Sequence, residues 1–296
     1  MKKIVYTIIN PVSGTGSKAK IKELLLGLNS ENYEVTLFLT EYSGHAAEIA
    51  QKAVEDKIDI IIAVGGDGTV NEVAGALVGS NVALGIIPTG SGNGLARHLG
   101  IPINEKKAVD IIKKGTVERI DYGKANGRMF FCTCGVGYDA LVSEKVLNKK
   151  SRGKLMYAGD MLTTYVNYKP EHYKIICAES TFEGEAFVIT FANASQYGYN
   201  AYIAPNATLL DGKMNISILK PISFVDVPEI GMQMFLKHIA DNKNFKEIVT
   251  SRATIIRDKE GVMHLDGNAI YEAREIEVEI IPCGLSVIVP ENVARI

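Results

Sequence analysis

Apolar positions in the first 123 residues switch repeatedly between two periods. Residues 4–9 form a short run of β-formers, and residues 18–28 then carry Ile21, Leu24, Leu25 and Leu28 at helical spacing. Residues 33–39 alternate apolar and polar, residues 46–54 return to helical spacing, and residues 58–64 are apolar almost throughout. Such a run suits a strand covered on both faces. A helix over 69–77, a strand over 83–87 and a short helix over 93–99 continue the alternation. This order predicts a parallel sheet with helices on both sides. Ligands in such sheets bind beyond the carboxyl ends of the strands.

After residue 123 the pattern changes. β-like runs occur at 128–134, 173–178, 186–192, 213–219, 246–256 and 275–281, several of them separated by Gly, Asn or Asp turns. Helical spacing interrupts them at 140–165, with a break expected near Gly153, and at 227–240. The expected organisation is an α/β nucleotide-binding domain over 1–123 and a β-rich, sandwich-like acceptor domain over 124–284. A C-terminal segment, 285–296, is placed to return to the first domain. The absence of internal repeats and low-complexity linkers predicts tightly coupled domains with a cleft between them.

Composition narrows the function classes. A chain of 296 residues, 47% hydrophobic and 22% charged, can build two ordinary globular cores. A formal net charge of −2 offers no global attraction to nucleic acid, so no such partner is expected. Cys132, Cys134, Cys177 and Cys283 form neither a C-x-x-C pair nor a disulfide-like framework, which points to reduced thiols in a cytosolic core. The N-terminal apolar run stops at Asn10-Pro11 without a small-residue cleavage site, and reads as a first strand rather than a signal peptide. No apolar stretch approaches the ~18–20 residues that span a bilayer, so any membrane contact is expected to be peripheral. The five histidines show no metal-site spacing; His264 lies two residues before Asp266.

Chemistry concentrates in three glycine-rich loops that follow predicted strands. Gly65-Gly66-Asp67-Gly68-Thr69 closes the third strand. Its glycines admit a ligand close to the backbone, and the helix starting near Thr69 points N–H groups and a positive dipole end at the loop. That environment suits phosphate. Asp67 would repel phosphate unless a divalent cation intervenes, so it fits metal-bound water, a ribose, an acceptor hydroxyl, or a plain helix cap. Residues 10–18, with Ser13, Gly14 and Lys18, follow the first strand, and residues 88–97, with Ser91 and Asn93, follow the fourth. Neither a Walker A spacing nor a G-x-G-x-x-G after the first strand is present.

Together Asn10-Pro11 with Gly14, GGDGT with Asn71-Glu72, and Pro88-x-Gly90-Ser91-Gly92-Asn93 resemble the diacylglycerol kinase catalytic domain family, which includes bacterial soluble lipid kinases and sphingosine kinases. Residues 134–142, 204–217 and 265–267 continue the resemblance in family order, so it spans essentially the whole chain. It implies an NAD kinase/phosphofructokinase-like first domain and an ATP·Mg²⁺-dependent lipid kinase. ATP would be held by Asn10, Ser13, Gly14, Lys18, Thr40, Gly65, Gly66, Asp67, Gly68, Thr69, Val70, Asn71, Ser91 and Asn93. The family's magnesium site falls on Asp211, joined by backbone carbonyls near Thr208 and Lys213. Without the resemblance, Asp211-Gly212 reads as a plain hairpin turn.

Two departures from the family pattern stand out. The common Asp-Gly-Glu reads Asp266-Gly267-Asn268 here, and an amide cannot accept a proton at neutral pH. Catalysis is therefore expected to use Asp266 with Asp67, or to need little help from a base, since phosphoryl transfer depends mainly on positioning and charge neutralisation. The third loop lacks the usual Gly-Thr-x-Asn-Asp and stands closer to the sphingosine kinase version, which keeps sphingoid or ceramide-like alcohols beside diacylglycerol as acceptors. Lys145, Lys149, Lys150, Arg152 and Lys154 form the densest basic cluster and are a candidate contact with an anionic membrane face. The expected setting is cytoplasmic, peripherally at the inner membrane face, with a homodimer left open. The rival readings are an NAD kinase-like enzyme and a nucleotide-binding regulatory protein that has lost catalysis.

Overall fold

A computed structural model describes residues 2–14, 18–28, 32–147 and 163–291. The chain divides into two compact units, Met1–Asp121 with Pro282–Ile296, and Tyr122–Ile281.

The first unit is built on strands β1 (Lys3–Ile9), β2 (Tyr33–Leu39), β3 (Ile60–Gly65) and β4 (Ala83–Pro88). They lie in the order β2-β1-β3-β4, and every pairing is parallel, with Ile8 opposite Ala63 and Ile61 opposite Leu84. All residues of β3 and β4 are buried, which explains their nearly unbroken apolar sequence. Helices α1 (Lys18–Leu26), α2 (His45–Glu55), α3 (Asp67–Leu77), α4 (Gly94–His98) and α5 (Glu105–Lys114) connect and cover the strands. Helix α2 buries only Ala46, Ala50 and Ala53, so small side chains set its close approach. Helix α5 was not among the elements read from the sequence, although Asn104 caps it by accepting the Lys107 N–H at 3.1 Å and Ala108, Val109 and Ile112 form its buried stripe. Gly85 of β4 lies closely beneath it, where a Cβ would come 3.2 Å from Ile112 Cγ1.

The second unit holds two antiparallel layers. One has the order β12 (Phe245–Thr250), β11 (Met214–Leu219), β10 (Val188–Ala192), β7 (Thr133–Gly137), β14 (Gly261–Leu265) and β15 (Asn268–Glu272). The other runs from the first half of β16 (Glu275–Val289) through β13 (Arg252–Arg257) and β8 (Glu171–Cys177) to β9 (Thr181–Ala186). Strands β5 (Thr116–Ala125) and β6 (Arg128–Phe130) pair at the β16 side. Phe191, Ile216 and Met263 from one layer meet Tyr173, Ile255 and Val278 from the other in a single apolar cluster, the core of a β-sandwich. Each such side chain contributes about 1.5–3 kcal/mol by leaving water. The layer containing β7 also carries α6 (Tyr138–Leu147), residues 163–167 are helical, and α7 (Val227–Leu236) follows a 3-10 turn.

The run 246–256, continuous in sequence, is two strands. It breaks at Ser251, whose carbonyl accepts the Ile280 N–H at 2.9 Å, and the chain passes there from one layer to the other. Strand β16 leaves the second unit at Ile281, and Val287 pairs in parallel with Leu84 of β4. Its entry into the first unit is pinned by buried Asp121, whose Oδ1 accepts the Cys283 N–H at 2.8 Å. Among the described residues, no helix is long and apolar enough to cross a membrane. Lys149, Lys150, Arg152, Lys154 and the expected break at Gly153 lie outside the described residues; Lys145, in α6, donates to Thr163 Oγ1.

Candidate active site

In the first unit, the loops after β1, β2, β3 and β4 all stand at the carboxyl edge of the parallel sheet. They are stitched to one another. Asn10 donates from its backbone to Val64 O (3.0 Å) and from Nδ2 to Thr69 Oγ1 (3.1 Å), while its Oδ1 accepts the Val12 N–H (3.0 Å). The Ser13 hydroxyl meets Thr89 Oγ1 at 2.9 Å. Gly14 has φ +67°, and a Cβ there would fall 1.8 Å from Thr89 O. Thr40 is buried and donates its N–H to Ile9 O at 3.0 Å; Gly44 donates its N–H to Glu72 Oε1 at 3.0 Å. Lys18 opens α1.

The GGDGT loop packs backbone to backbone against the third loop. A Cβ on Gly90 would come within 2.4 Å of Gly66 Cα, and one on Gly65 within 2.5 Å of Thr69. Gly68 faces open space, with nothing within 4 Å of a built Cβ. Thr69 and Val70 are buried, Asn71 is half-buried and Ser91 is exposed. Asn93 sits at φ 51° and cross-links its own loop, accepting the Gly90 N–H (3.0 Å) and donating Nδ2 to Gly90 O (2.7 Å). The first-turn N–H groups of α3 have no carbonyl partner within the helix, so this edge presents donors at a glycine surface where a phosphate can approach.

Asp67 has an occupation that its sequence position did not reveal. Its Oδ2 accepts the Asn93 N–H at 2.8 Å and its Oδ1 the Gly94 N–H at 2.7 Å, so the carboxylate caps α4 across 26 and 27 residues. Gly92 lies against it, and a Cβ there would come 2.9 Å from Oδ2. Burial pushes the Asp67 pKa up; the two N–H groups and the Arg97 charge pull it back in part. Arg97 itself donates Nε to Gly92 O at 2.9 Å. The carboxylate is therefore a clasp between the second and third glycine loops.

In the second unit, Asp266 is held in a comparable way. At φ 50°, it accepts the Phe131 N–H on Oδ2 (2.7 Å) and the Cys132 and Thr133 N–H groups on Oδ1 (2.7 and 2.9 Å). Three main-chain donors fix the orientation of this carboxylate. Asn268 is exposed at the start of β15. Sequence reasoning missed the polar centre behind this turn. Buried His264 places Nε2 3.0 Å from Asp139 Oδ2, which also accepts from Tyr197 Oη (2.9 Å) and Thr190 Oγ1 (3.3 Å). Its Nδ1 faces the Gly267 N–H at 3.4 Å. Only the spacing of His264 to Asp266 hinted at it.

Asp211 is exposed and accepts the Lys213 N–H on Oδ1 at 2.9 Å, with Gly212 at φ 68°. Among the described residues, no three His, Cys, Asp or Glu side chains gather into a metal-holding group. One exposed carboxylate with main-chain carbonyls is the kind of hard-oxygen set that suits a largely hydrated Mg²⁺.

Comparison with known proteins agrees with this architecture. Residues 5–125 match the diacylglycerol kinase catalytic domain, and residues 132–289 match the YegS C-terminal NAD kinase beta sandwich-like domain. A diacylglycerol kinase of Bacillus subtilis (strain 168) is 29% identical over 270 residues, covering 88% of each chain. One of Mycobacterium tuberculosis (strain H37Rv) is 28% identical over 301 residues, covering 97% of this chain and 96% of that one. A solved Bacillus anthracis (strain Sterne) structure superposes with a TM-score of 0.82 at 26% identity, over 100% of this chain and 97% of its own. With both units matched in order and a β-sandwich following a parallel α/β unit, the chain belongs to the diacylglycerol kinase catalytic domain family and is a lipid kinase-like enzyme.

Proposed function

We propose that this protein transfers the γ-phosphoryl group of ATP·Mg²⁺ to the hydroxyl of a lipid, either a diacylglycerol or a sphingoid or ceramide-like alcohol. The observation that carries the reading is the stitched glycine edge of the first unit, where Gly66 and Gly90 touch through their backbones beside the N-terminus of α3. Asn10, Ser13, Gly14, Lys18, Thr40, Gly65 to Asn71, Ser91 and Asn93 surround ATP in this reading. A magnesium ion held by Asp211 with carbonyls near Thr208 and Lys213 would be a structural ion of the second unit in this reading.

Catalysis then consists mainly of placement. Phosphoryl transfer has a loose transition state with charge spread over the equatorial oxygens, so aligned donors and a fixed nucleotide supply most of the rate. Asp67 acts by holding the third loop in register with GGDGT. Asp266 acts by holding the Asp266-Gly267-Asn268 turn. A general base contributes about 10²–10⁴-fold where one operates, and Asn268 at the family's acidic position is consistent with little reliance on it.

The acceptor side is supported by an aromatic cavity of about 350 Å³ in the second unit, lined by Tyr165, Val166, Tyr168, Phe187, Ile222 and Phe224. Its walls are aromatic and aliphatic side chains with tyrosine hydroxyls among them, which suits an acyl chain beside its polar end. The test is ATP consumption in a parallel screen of diacylglycerol, sphingoid bases, ceramide and NAD. Turnover with one of the lipids is the expected result; turnover with NAD alone overturns the lipid reading. Tight ATP binding without turnover on any lipid would establish a regulatory nucleotide-binding protein instead.

A further inference from the structure

Strand β14 buries two successive residues, Met263 at 1% and His264 at 2% exposure. Neighbouring side chains of a strand point to opposite faces. Met263 joins the sandwich core, so His264 points out of the other face, where α6 covers β14 and β15. A buried imidazole costs free energy there unless its nitrogens are bonded. Both nitrogens have partners. Nε2 stands 3.0 Å from Asp139 Oδ2, and Nδ1 stands 3.4 Å from the Gly267 nitrogen. The Tyr197 hydroxyl also donates to Asp139 Oδ2, and the Thr190 hydroxyl reaches both of them. A Cβ on Gly135 of β7 would lie 2.9 Å from His264 Nε2 and 3.1 Å from Asp139 Oδ2, so bare backbone leaves room for the pair.

The ring faces a turn whose own backbone needs partners. Asp266-Gly267 alone joins β14 to β15. Their φ values are 50° and 79°, and positive φ at both positions lets a two-residue hairpin follow the twist of its strands. The two central N–H groups of such a hairpin lie outside the ladder and must find other acceptors. The Asp266 N–H goes to Thr133 O at 2.8 Å, and the Gly267 N–H goes to the His264 ring. The turn is thus anchored at two places, the start of β7 and His264. Exposed Asn268 follows directly, opposite Leu265 in the hairpin.

We propose that His264 is a positioning residue for this turn, fixing how Asn268 is presented to the acceptor lipid, an inference that rests on the lipid-kinase reading above. A carboxylate oxygen only accepts, so Asp139 requires a proton on Nε2. The Gly267 N–H requires a bare Nδ1. Together the two contacts select one tautomer of the ring. The order of action is then fixed: Tyr197 and Thr190 hold Asp139, Asp139 holds the imidazole, and the imidazole holds the Gly267 N–H. An apolar side chain of similar bulk would fill the space under α6 equally well. It would leave both Asp139 and the Gly267 N–H without this partner, so packing alone does not account for a histidine here.

Long-range proton–nitrogen NMR of the full chain reads the His264 tautomer without any variant. The Nε2–H form is expected, and an Nδ1–H form overturns the proposal. Two substitutions then separate the ring's contacts. His264→Asn keeps an acceptor near the Nδ1 position, whereas His264→Gln keeps a donor near the Nε2 position. Amide exchange at Gly267 should quicken about tenfold in His264→Gln and stay close to wild type in His264→Asn. With the lipid that the screen identifies, His264→Gln should raise KM for the acceptor about tenfold and leave KM for ATP unchanged, while His264→Asn recovers most of that loss. Lost stability alone would lower the active fraction and move neither KM. Equal Gly267 exchange in the two variants, or an acceptor KM unmoved in His264→Gln, overturns the proposal. The expected exchange pattern, from a wild type that phosphorylates no lipid, upholds His264 as the holder of the turn and removes the lipid-kinase reading.

Discussion

Asp67→Asn separates the clasp from a chemical role for this carboxylate. The wild-type oxygens accept two main-chain N–H groups, from Asn93 and Gly94, at 2.8 and 2.7 Å. An amide keeps one acceptor and turns an NH₂ toward the other N–H, so one charge-assisted bond is lost and a donor is left facing a donor. A hydrogen bond to a charged group contributes about 1.5–3 kcal/mol, and a buried unsatisfied donor costs about 1–3 kcal/mol. Relief of the buried charge offsets part of this, so the net loss is about 2–4 kcal/mol. Differential scanning calorimetry should show the melting temperature falling by roughly 5–15 °C, and KM for ATP should rise tenfold or more as Gly90 and Ser91 leave register. The pH dependence has a definite sign. Burial raises the folded-state pKa above the unfolded one, so over the window above the ordinary carboxylate value the folded state binds more protons, and this group's contribution to stability falls as pH rises. Asp67→Asn should remove that slope, leaving wild type relatively more stable toward acid. A variant that melts within a degree or two of wild type, keeps its ATP KM and loses kcat by about 10³-fold would refute the clasp and return Asp67 to proton or metal chemistry.

Three further substitutions probe the same logic. Gly14→Ala puts a Cβ 1.8 Å from Thr89 O at φ +67°; a loss of about 1–3 kcal/mol and weaker ATP binding by titration calorimetry are expected, and normal binding would mean the loop is not held as described. Asp266→Asn removes the charge that accepts three N–H groups and should lower the melting temperature while changing kcat only a few-fold; an unaltered melt with kcat down about 10²–10⁴-fold would make Asp266 a base. Buried Arg257 donates to the carbonyls of Gly261, Val262, Glu272 and Ala273. Lysine cannot reproduce that fork, so Arg257→Lys should cost about 2–4 kcal/mol in urea unfolding, and a midpoint equal to wild type would contradict the network.

Local rules were enough for much of this protein. Apolar runs at 58–64 and 83–87 marked the two central strands, because a strand buried on both faces needs apolar residues at every position. Glycines marked the loops at the carboxyl edge of the parallel sheet, because backbone at positive φ, or touching other backbone, leaves little room for a Cβ; Gly14, Gly66 and Gly90 all meet that condition. The order of these pieces implied the parallel unit and the sandwich. What sequence could not decide was which group each polar atom meets. Asp67 found its donors 26 and 27 residues away, and Asp266 found its own more than 130 residues back, from the end of β6 into the start of β7. The partners of a carboxylate in a conspicuous motif are fixed only by the fold. The turn at Ser251 was invisible for a related reason: period-2 alternation continues through a corner, and only packing assigns the two halves to different layers. Sequence thus determined where backbone had to be bare and where strands had to be dry, which are properties of single residues and their immediate neighbours. Tertiary structure decided which acids are clasps and which polar groups are buried, because hydrogen bonding and burial are set by groups that meet only when the chain is folded.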